Sequence, residues 1–334
     1  MEKITYKDED KIREILRKPN NEIAESSERL YFHSLKTILR DLQEPTSIFL
    51  DYDKIYKYFN DNEKEMKLTT KRNKILAIII FLKGIKAEKE LIDKYTMFHD
   101  SLTINLNREL YKNKKNKKEE KNWCTMPELE ARLDEIKLDI PEEIKTFSDI
   151  SKYIKYIVGL IQLETGLRND LADCEIYDYH EYKKIEAKTN INYLIIQKRV
   201  PEARLILQNY KTKKAYGILD IKISEPVSKQ IKLYYNEVQK YKKLRKQSFN
   251  WLVFDKYGEK FNRNEFTKLL NSIFNINDEK KISSGLIRKI ILSERIDIRK
   301  MKKQALNMGH TVQTQLKYYV KENDTETEAS DSEP

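Results

Sequence analysis

SSGLIRKIILSERIDIRKMKKQALNMGHTVQTQLKYY, residues 283–319, decides how this chain is read. It holds Arg288 in a run whose Ile287, Ile290 and Ile291 recur at helical spacing, so the arginine enters a helix with an apolar inner face. His310 follows a glycine in Met308-Gly309-His310-Thr311, 22 residues beyond Arg288, and Tyr319 stands nine residues after His310, in the pair Tyr318-Tyr319. A second arginine lies upstream: Arg168, in Glu164-Thr165-Gly166-Leu167-Arg168. Two arginines, a histidine and a tyrosine form a set that can break a phosphodiester without a metal. The phenol attacks phosphorus, and the cations neutralise the charge growing on the non-bridging oxygens.

Each residue also has a plainer reading. Arg168 can pair with Asp170 or Asp173 on the surface, though a guanidinium fixed after a glycine turn can bind phosphate bidentately, which lysine cannot. A tyrosine in a chain with 21 of them usually packs, and Tyr318 is read that way, beneath Tyr319. His33, His99 and His180 lack an arginine–tyrosine context and read as structural or surface residues. His310 differs because its spacing is bounded on both sides, and a neutral imidazole there can hydrogen-bond a phosphate or take a proton.

Composition narrows the partners. The chain has 334 residues, 39% hydrophobic, enough for two domains that each bury a core. A net charge of +11 and a pI near 9.2 favour a polyanion, and nucleic acid first, because neutralised phosphates release counterions. Two cysteines, Cys124 and Cys174, are too few for a disulfide framework or a structural zinc site and read as reduced thiols of an intracellular protein. The longest apolar stretch, Ile75 to Leu82, is too short to span a bilayer. None of the seven glycines falls in a GxxxxGK[ST] or GxGxxG context, so neither ATP-driven nor dinucleotide chemistry is expected. No cofactor and no metal is anticipated. Lysine dominates the basic residues, which makes a well-placed arginine the more informative of the two.

Periodicity divides the chain. Residues 1–22 are charged and weakly periodic, an arm or short helix. Residues 23–110 carry short amphipathic helices: one capped by Ser26-Ser27-Glu28 with Leu35, Ile38, Leu39 and Leu42, others around Ile55–Phe59, Ile75–Leu82 and Ala87–His99. Residues 111–121, largely KNKKNKKEEK, read as a linker too charged to pack, either a solvated tether or a segment lying along phosphates. Residues 122–322 form the second domain. A helix opens near Pro127, Ser148 caps the next, and then the period changes to two over Tyr193–Gln197, Ala203–Gln208 and Tyr216–Ile223, predicting a small antiparallel sheet. Helices follow from Pro226, across Phe261–Phe274, and around Ile282–Ser293 and Arg299–Leu306. Residues 323–334 are acidic and poor in hydrophobics, a composition that favours disorder. The fold class expected is mainly α with a small antiparallel β-sheet.

The order and spacing of these motifs resemble the tyrosine recombinase, or phage-type integrase, family. Thr165-Gly166-Leu167-Arg168 is similar to the family's T-G-x-R stretch, Ser283 to Lys289 to its second arginine box, and Gly309-His310 to its G-H turn. Two departures stand out. Leu171 occupies the place of the usual acid three residues after the first arginine, where Asp170 or Asp173 could serve, and Gly285 occupies that of the usual histidine of the second box, leaving His310, Ser284 or water to take the nucleophile's proton.

The resemblance implies a helical core-binding domain at 23–110 and a catalytic domain at 122–322, closing as a C-shaped clamp on double-stranded DNA. It implies Tyr319 as nucleophile, Arg168, Arg288 and His310 around the phosphate, and a general-acid lysine on the hairpin Tyr210–Tyr216, with Lys211 in the better register and Lys213 second. The expected activity is site-specific recombination through a 3′-phosphotyrosyl link, by a homotetramer on two duplexes. The alternatives are a type IB topoisomerase-like enzyme that relaxes supercoils as a monomer and a DNA-binding relative that has lost catalysis. Lysine, asparagine and isoleucine bias together with the S-x-x-L-I-R-K box are similar to integrases of eukaryotic viruses or mobile elements, which implies action at DNA in a host nucleus or at a viral replication site.

Overall fold

The computed structural model describes residues 4–19, 23–62, 66–111, 114–185, 190–197, 199–276, 279–294 and 298–318. Tyr319 and the acidic residues 323–334 lie outside them. The chain divides into two units, Met1–Lys112 and Asn113–Pro334.

The described residues of the first unit form helices without strands: α1 (Glu9–Arg17), α2 (Glu25–Leu42), a 3₁₀ turn (Thr46–Leu50), α3 (Tyr52–Asp61), α4 (Leu68–Gly84) and α5 (Lys89–Tyr111). Helix α4 is apolar on most sides because α1, α2 and α5 all pack on it, so Ile75, Ile78, Phe81 and Leu82 meet Phe32, Leu35, Leu39 and Phe49 in one core. The N-terminal residues expected as an arm or short helix include α1, which belongs to this core. Its Ile12 and Leu16 are fully buried, its Arg13 and Arg17 both bind the Glu28 carboxylate, and it approaches α4 so closely that a Cβ on Gly84 would sit 2.2 Å from the Ile15 carbonyl oxygen. Helix α2 starts at Glu25 with no side-chain cap, so Ser26 and Ser27 are its first turn rather than its cap.

The second unit opens with α6 (Lys117–Asn122), inside the stretch expected to be an unpacked linker. A capping box between Asn116 and Glu119 starts it, and Glu119 pairs with Lys289 in the body of the unit, a tertiary ion pair that composition could not reveal. There follow α7 (Met126–Leu138), with Pro127 in its first turn, and α8 (Phe147–Thr165). The cap of α8 is Thr146 and not Ser148: Thr146 and Asp149 form the reciprocal capping box. Helix α8 is the centre of the unit, with α7 and three later helices packed around its Ile150, Ile154, Ile157, Val158 and Ile161.

A 3₁₀ turn (Asn169–Asp173) leads into β1 (Cys174–Asp178), then α9 (Tyr179–Tyr182), β2 (Asn192–Ile196), β3 (Arg204–Leu207), α10 (Lys213–Tyr216) and β4 (Leu219–Lys222). The sheet order is β1-β2-β3-β4. Only β2–β3 and β3–β4 are antiparallel; β1 runs parallel to β2 with Cys174 opposite Asn192, so the sheet is mixed rather than antiparallel. Tyr216, expected in a strand, ends α10, and Trp251 to Phe254 makes isolated bridges to Glu175 and Lys260. Helices α11 (Glu225–Arg245), α12 (Arg263–Ile273), α13 (Ser284–Glu294), α14 (Ile298–Asn307) and α15 (Val312–Tyr318) complete the unit. Among the described residues no helix is long and apolar enough to cross a membrane.

Candidate active site

Both glycine motifs are helix C-caps, and this brings the sequence-predicted residues together. Helix α8 ends at Gly166 in the left-handed conformation (φ 60°), its N–H donating to the Gln162 carbonyl. Helix α14 ends in a Schellman arrangement: Gly309 (φ 66°) donates to the Leu306 carbonyl and His310 to the Ala305 carbonyl. Only glycine takes this backbone conformation without cost, so the chain turns sharply at both points and delivers Arg168 and His310 just past the two helix ends. The caps abut. A Cβ on Gly166 would lie 2.5 Å from the Met308 Cε, and the Arg168 Nη1 donates to the Met308 carbonyl at 3.2 Å.

Arg288 comes from α13, whose Leu286, Ile287, Ile290 and Ile291 are buried. It is only 2% exposed, among the largest fully buried side chains of the protein. A guanidinium taken out of water is costly without compensating charge, so its position calls for a negative partner nearby. Helix α13 is held at its far end by Glu294, whose carboxylate accepts from the Met126 amide at the start of α7, and in its middle by the Lys289–Glu119 pair.

His310 is 5% exposed. Burial, and then the neighbouring charges of Arg288 and Arg168, hold its pKa down at about 4, opposed only by a hydrogen bond to the Thr311 carbonyl. That carbonyl can only accept, so Nδ1 carries the hydrogen of the neutral ring and Nε2 the lone pair. Arg168, Arg288 and His310 thus share one electrostatic neighbourhood, with the imidazole neutral at physiological pH.

The acid of this neighbourhood is Asp170. Burial raises its carboxyl pKa, while Arg263, Arg168 and Arg288, in that order, and the Arg168 backbone amide work against the rise. Asp173 instead pairs with Lys260 at 2.7 Å and Arg263 at 3.7 Å, and Leu171 is core. Of the two carboxylates that could replace the acid missing at Leu171, Asp170 is the one beside the arginines.

The lysine hairpin joins the same place. Thr212 donates its hydroxyl to the Gly309 carbonyl, and a Cβ on Gly309 would lie 2.5 Å from the Thr212 Oγ1 and 2.8 Å from the Tyr210 ring. The Tyr210 hydroxyl closes the loop on the Gly217 carbonyl at 2.7 Å. Lys211 is exposed and Lys213 half-buried, each one residue from the hydroxyl that anchors the loop beside His310. Tyr318 ends α15, two turns after His310, and Tyr319 follows outside the described residues. Gly285 is uncrowded: the closest atom to a built Cβ, the Ser283 Oγ, lies 3.8 Å away, an ordinary contact.

Asn192 belongs to this frame and was not singled out in the sequence. Asn192, fully buried at the start of β2, donates to the carbonyls of Asp170 (2.8 Å) and Asn209 (3.1 Å) and accepts from the amides of Gln208 and Asn209. It ties the Arg168 turn to the strand that feeds the lysine hairpin. Its only sequence signal was an asparagine heading a β-branched run, in a chain rich in asparagine. Among the described residues no three His, Cys, Asp or Glu side chains gather as metal ligands would.

No protein-family model matches the sequence, and neither does any curated protein. Among solved structures, the chain is similar to XerA recombinase (TM-score 0.39, 14% identity, covering 94% of this chain and 93% of that one). It is also similar to XerH site-specific recombinase in its pre-cleavage complex with difH substrate (TM-score 0.44, 12% identity, covering 97% and 95%). At these values the likeness supplies no residue correspondence.

Proposed function

We propose that this chain is a site-specific tyrosine recombinase that cleaves and rejoins double-stranded DNA through a 3′-phosphotyrosyl intermediate. The observation that carries the reading is the fully buried Arg288, gathered with Arg168 and neutral His310 at two abutting helix ends. A pair of guanidiniums beside one carboxylate keeps a net positive charge suited to a phosphodiester and to the extra charge of its transition state.

In this mechanism the Tyr319 hydroxyl attacks the scissile phosphorus. The P–O bond to tyrosine forms, the P–O bond to the 5′ carbon's oxygen breaks, and the phenolic proton passes to water, since a His310 ring held at a pKa of about 4 beside two guanidiniums is a weak proton acceptor and serves instead as a neutral hydrogen-bonding group at the phosphate. Arg168 and Arg288 bind the non-bridging oxygens. Lys211, or Lys213 from the same loop, gives the departing 5′ oxygen its proton. A 5′ hydroxyl from a second duplex then attacks the phosphotyrosine and reverses each step, so bond energy is conserved. We take the acting species to be a homotetramer on two duplexes.

Two plasmids carrying distinguishable markers and the same target site test this. Joint products formed with no nucleotide present support it. Relaxation of one plasmid by a monomer would favour a topoisomerase-like enzyme, and tight DNA binding without breakage a non-catalytic relative with Gly285 as the departure responsible.

A further inference from the structure

We infer that Asn169, acting through Ser284, is the positioning residue that holds the two arginines in register. The inference rests on the recombinase reading and deepens it. Asn169 directly follows Arg168, and its side chain joins three elements. Nδ2 donates to the Thr267 Oγ1 at 2.7 Å and to the Arg263 carbonyl at 3.1 Å, both on α12, while Oδ1 accepts from the Ser284 hydroxyl at 2.8 Å. Ser284 opens α13 four residues before Arg288, one helical turn away on the same face. A single amide therefore connects the turn carrying one arginine to the turn of helix carrying the other, although the two lie 120 positions apart in sequence.

The chemistry explains why such a link matters. Two guanidiniums stabilise one pentacoordinate phosphorus only if both reach its oxygens at once, and a misplacement of about 1 Å costs on the order of 100-fold in rate. In this chain the third residue after Arg168 is the core side chain Leu171, and position 285, next to Ser284, carries no side chain at all. The Asn169–Ser284 bond spans that gap. An asparagine suits the task because its amide donates twice and accepts at the same time, without adding charge beside two arginines.

The test uses the full chain and a nicked duplex that traps the covalent product. It compares wild type with Asn169→Ala, Ser284→Ala, the double variant and Ser284→Thr, and each is measured for cleavage rate at saturating DNA, DNA affinity and melting temperature. Both alanine variants should cleave roughly 10- to 100-fold more slowly, with DNA affinity held to within about twofold. The double variant should be no slower than Asn169→Ala, since the bond is shared, and Ser284→Thr, which keeps the hydroxyl, should recover the rate. Ser284→Ala makes the test independent of whether Asn169→Ala folds. Unchanged rates would overturn the inference, as would a loss confined to affinity or melting, or losses that multiply in the double variant, which would make Ser284 a separate chemical group. A wild-type chain that bound the duplex and formed no adduct would overturn the functional reading, and this inference with it.

Discussion

Replacing Gly309 by alanine probes the junction on which the site depends. The residue has φ 66°, so an alanine there carries the left-handed penalty of about 1–2 kcal/mol. Its Cβ would also stand 2.5 Å from the Thr212 Oγ1 and 2.8 Å from the Tyr210 ring, an overlap relieved only by moving the lysine hairpin, at about 1–3 kcal/mol by comparison with overpacked cores. The sum, roughly 2–5 kcal/mol, corresponds to a melting temperature lower by about 5–15 °C for a domain of this size. Gly285→Ala is the contrast: no atom crowds the position and it lies inside α13, so it should be neutral or stabilise by roughly 0.5–1 kcal/mol. Calorimetry and urea unfolding of both variants measure the difference. Adding Thr212→Ala to Gly309→Ala removes the closer clash and should restore part of the loss. A Gly309→Ala chain that melts with wild type, with its cleavage rate intact, would refute the close packing of hairpin on histidine turn.

Three further outcomes follow from the same geometry. Arg168→Lys keeps the charge and loses the bidentate fork, so cleavage should fall by roughly 100- to 1,000-fold with little change in DNA affinity; equal losses in both would place Arg168 in binding alone. The folded His310 titrates at about 4 and an unfolded histidine near 6.5, so the ring is neutral in both states above that range. Its contribution to stability is therefore lost as pH falls from about 6.5 towards 4, where the unfolded chain takes up the proton first, and His310→Gln should flatten this part of the urea-midpoint profile; an unchanged profile counts against the buried neutral ring. Gly285→His, whose Cβ would meet no atom closer than 3.8 Å, should fold and speed adduct formation; a slower enzyme of normal stability would show that the glycine is itself required.

What the sequence revealed and what it hid divide along the range of the interactions. Gly166 and Gly309 were legible because a glycine after a helical run is a local signal, and the caps they form place Arg168 and His310. Strands β2 and β3 were legible from clustered β-branched residues. Strand β1 was not: Cys174-Glu175-Ile176-Tyr177-Asp178 does not alternate, and Glu175 is buried because the Tyr177 hydroxyl donates to it. Its parallel pairing with β2 depends on a crossover through α9 that no short window contains. The capping box of α8 could have been found, since Thr146 has an acid three residues on and Ser148 has Ser151. Asn116 with Glu119 marked the start of α6 in the same way, but its ion pair with Lys289 and the roles of Asn169 and Asn192 could not be read, because contacts across 16 to 170 positions leave no periodic trace.

Covalent chemistry at a tyrosine leaves a protein–DNA adduct that can be trapped. Full-length protein is incubated with nicked duplexes that shed the 5′-hydroxyl fragment after cleavage, and the product is resolved under denaturing conditions. The expected product is DNA bound covalently through its 3′ phosphate, an adduct abolished by Tyr319→Phe and preserved in Tyr318→Phe. Adduct formation that survives Tyr319→Phe, or its absence from wild-type protein demonstrably bound to DNA, would contradict it.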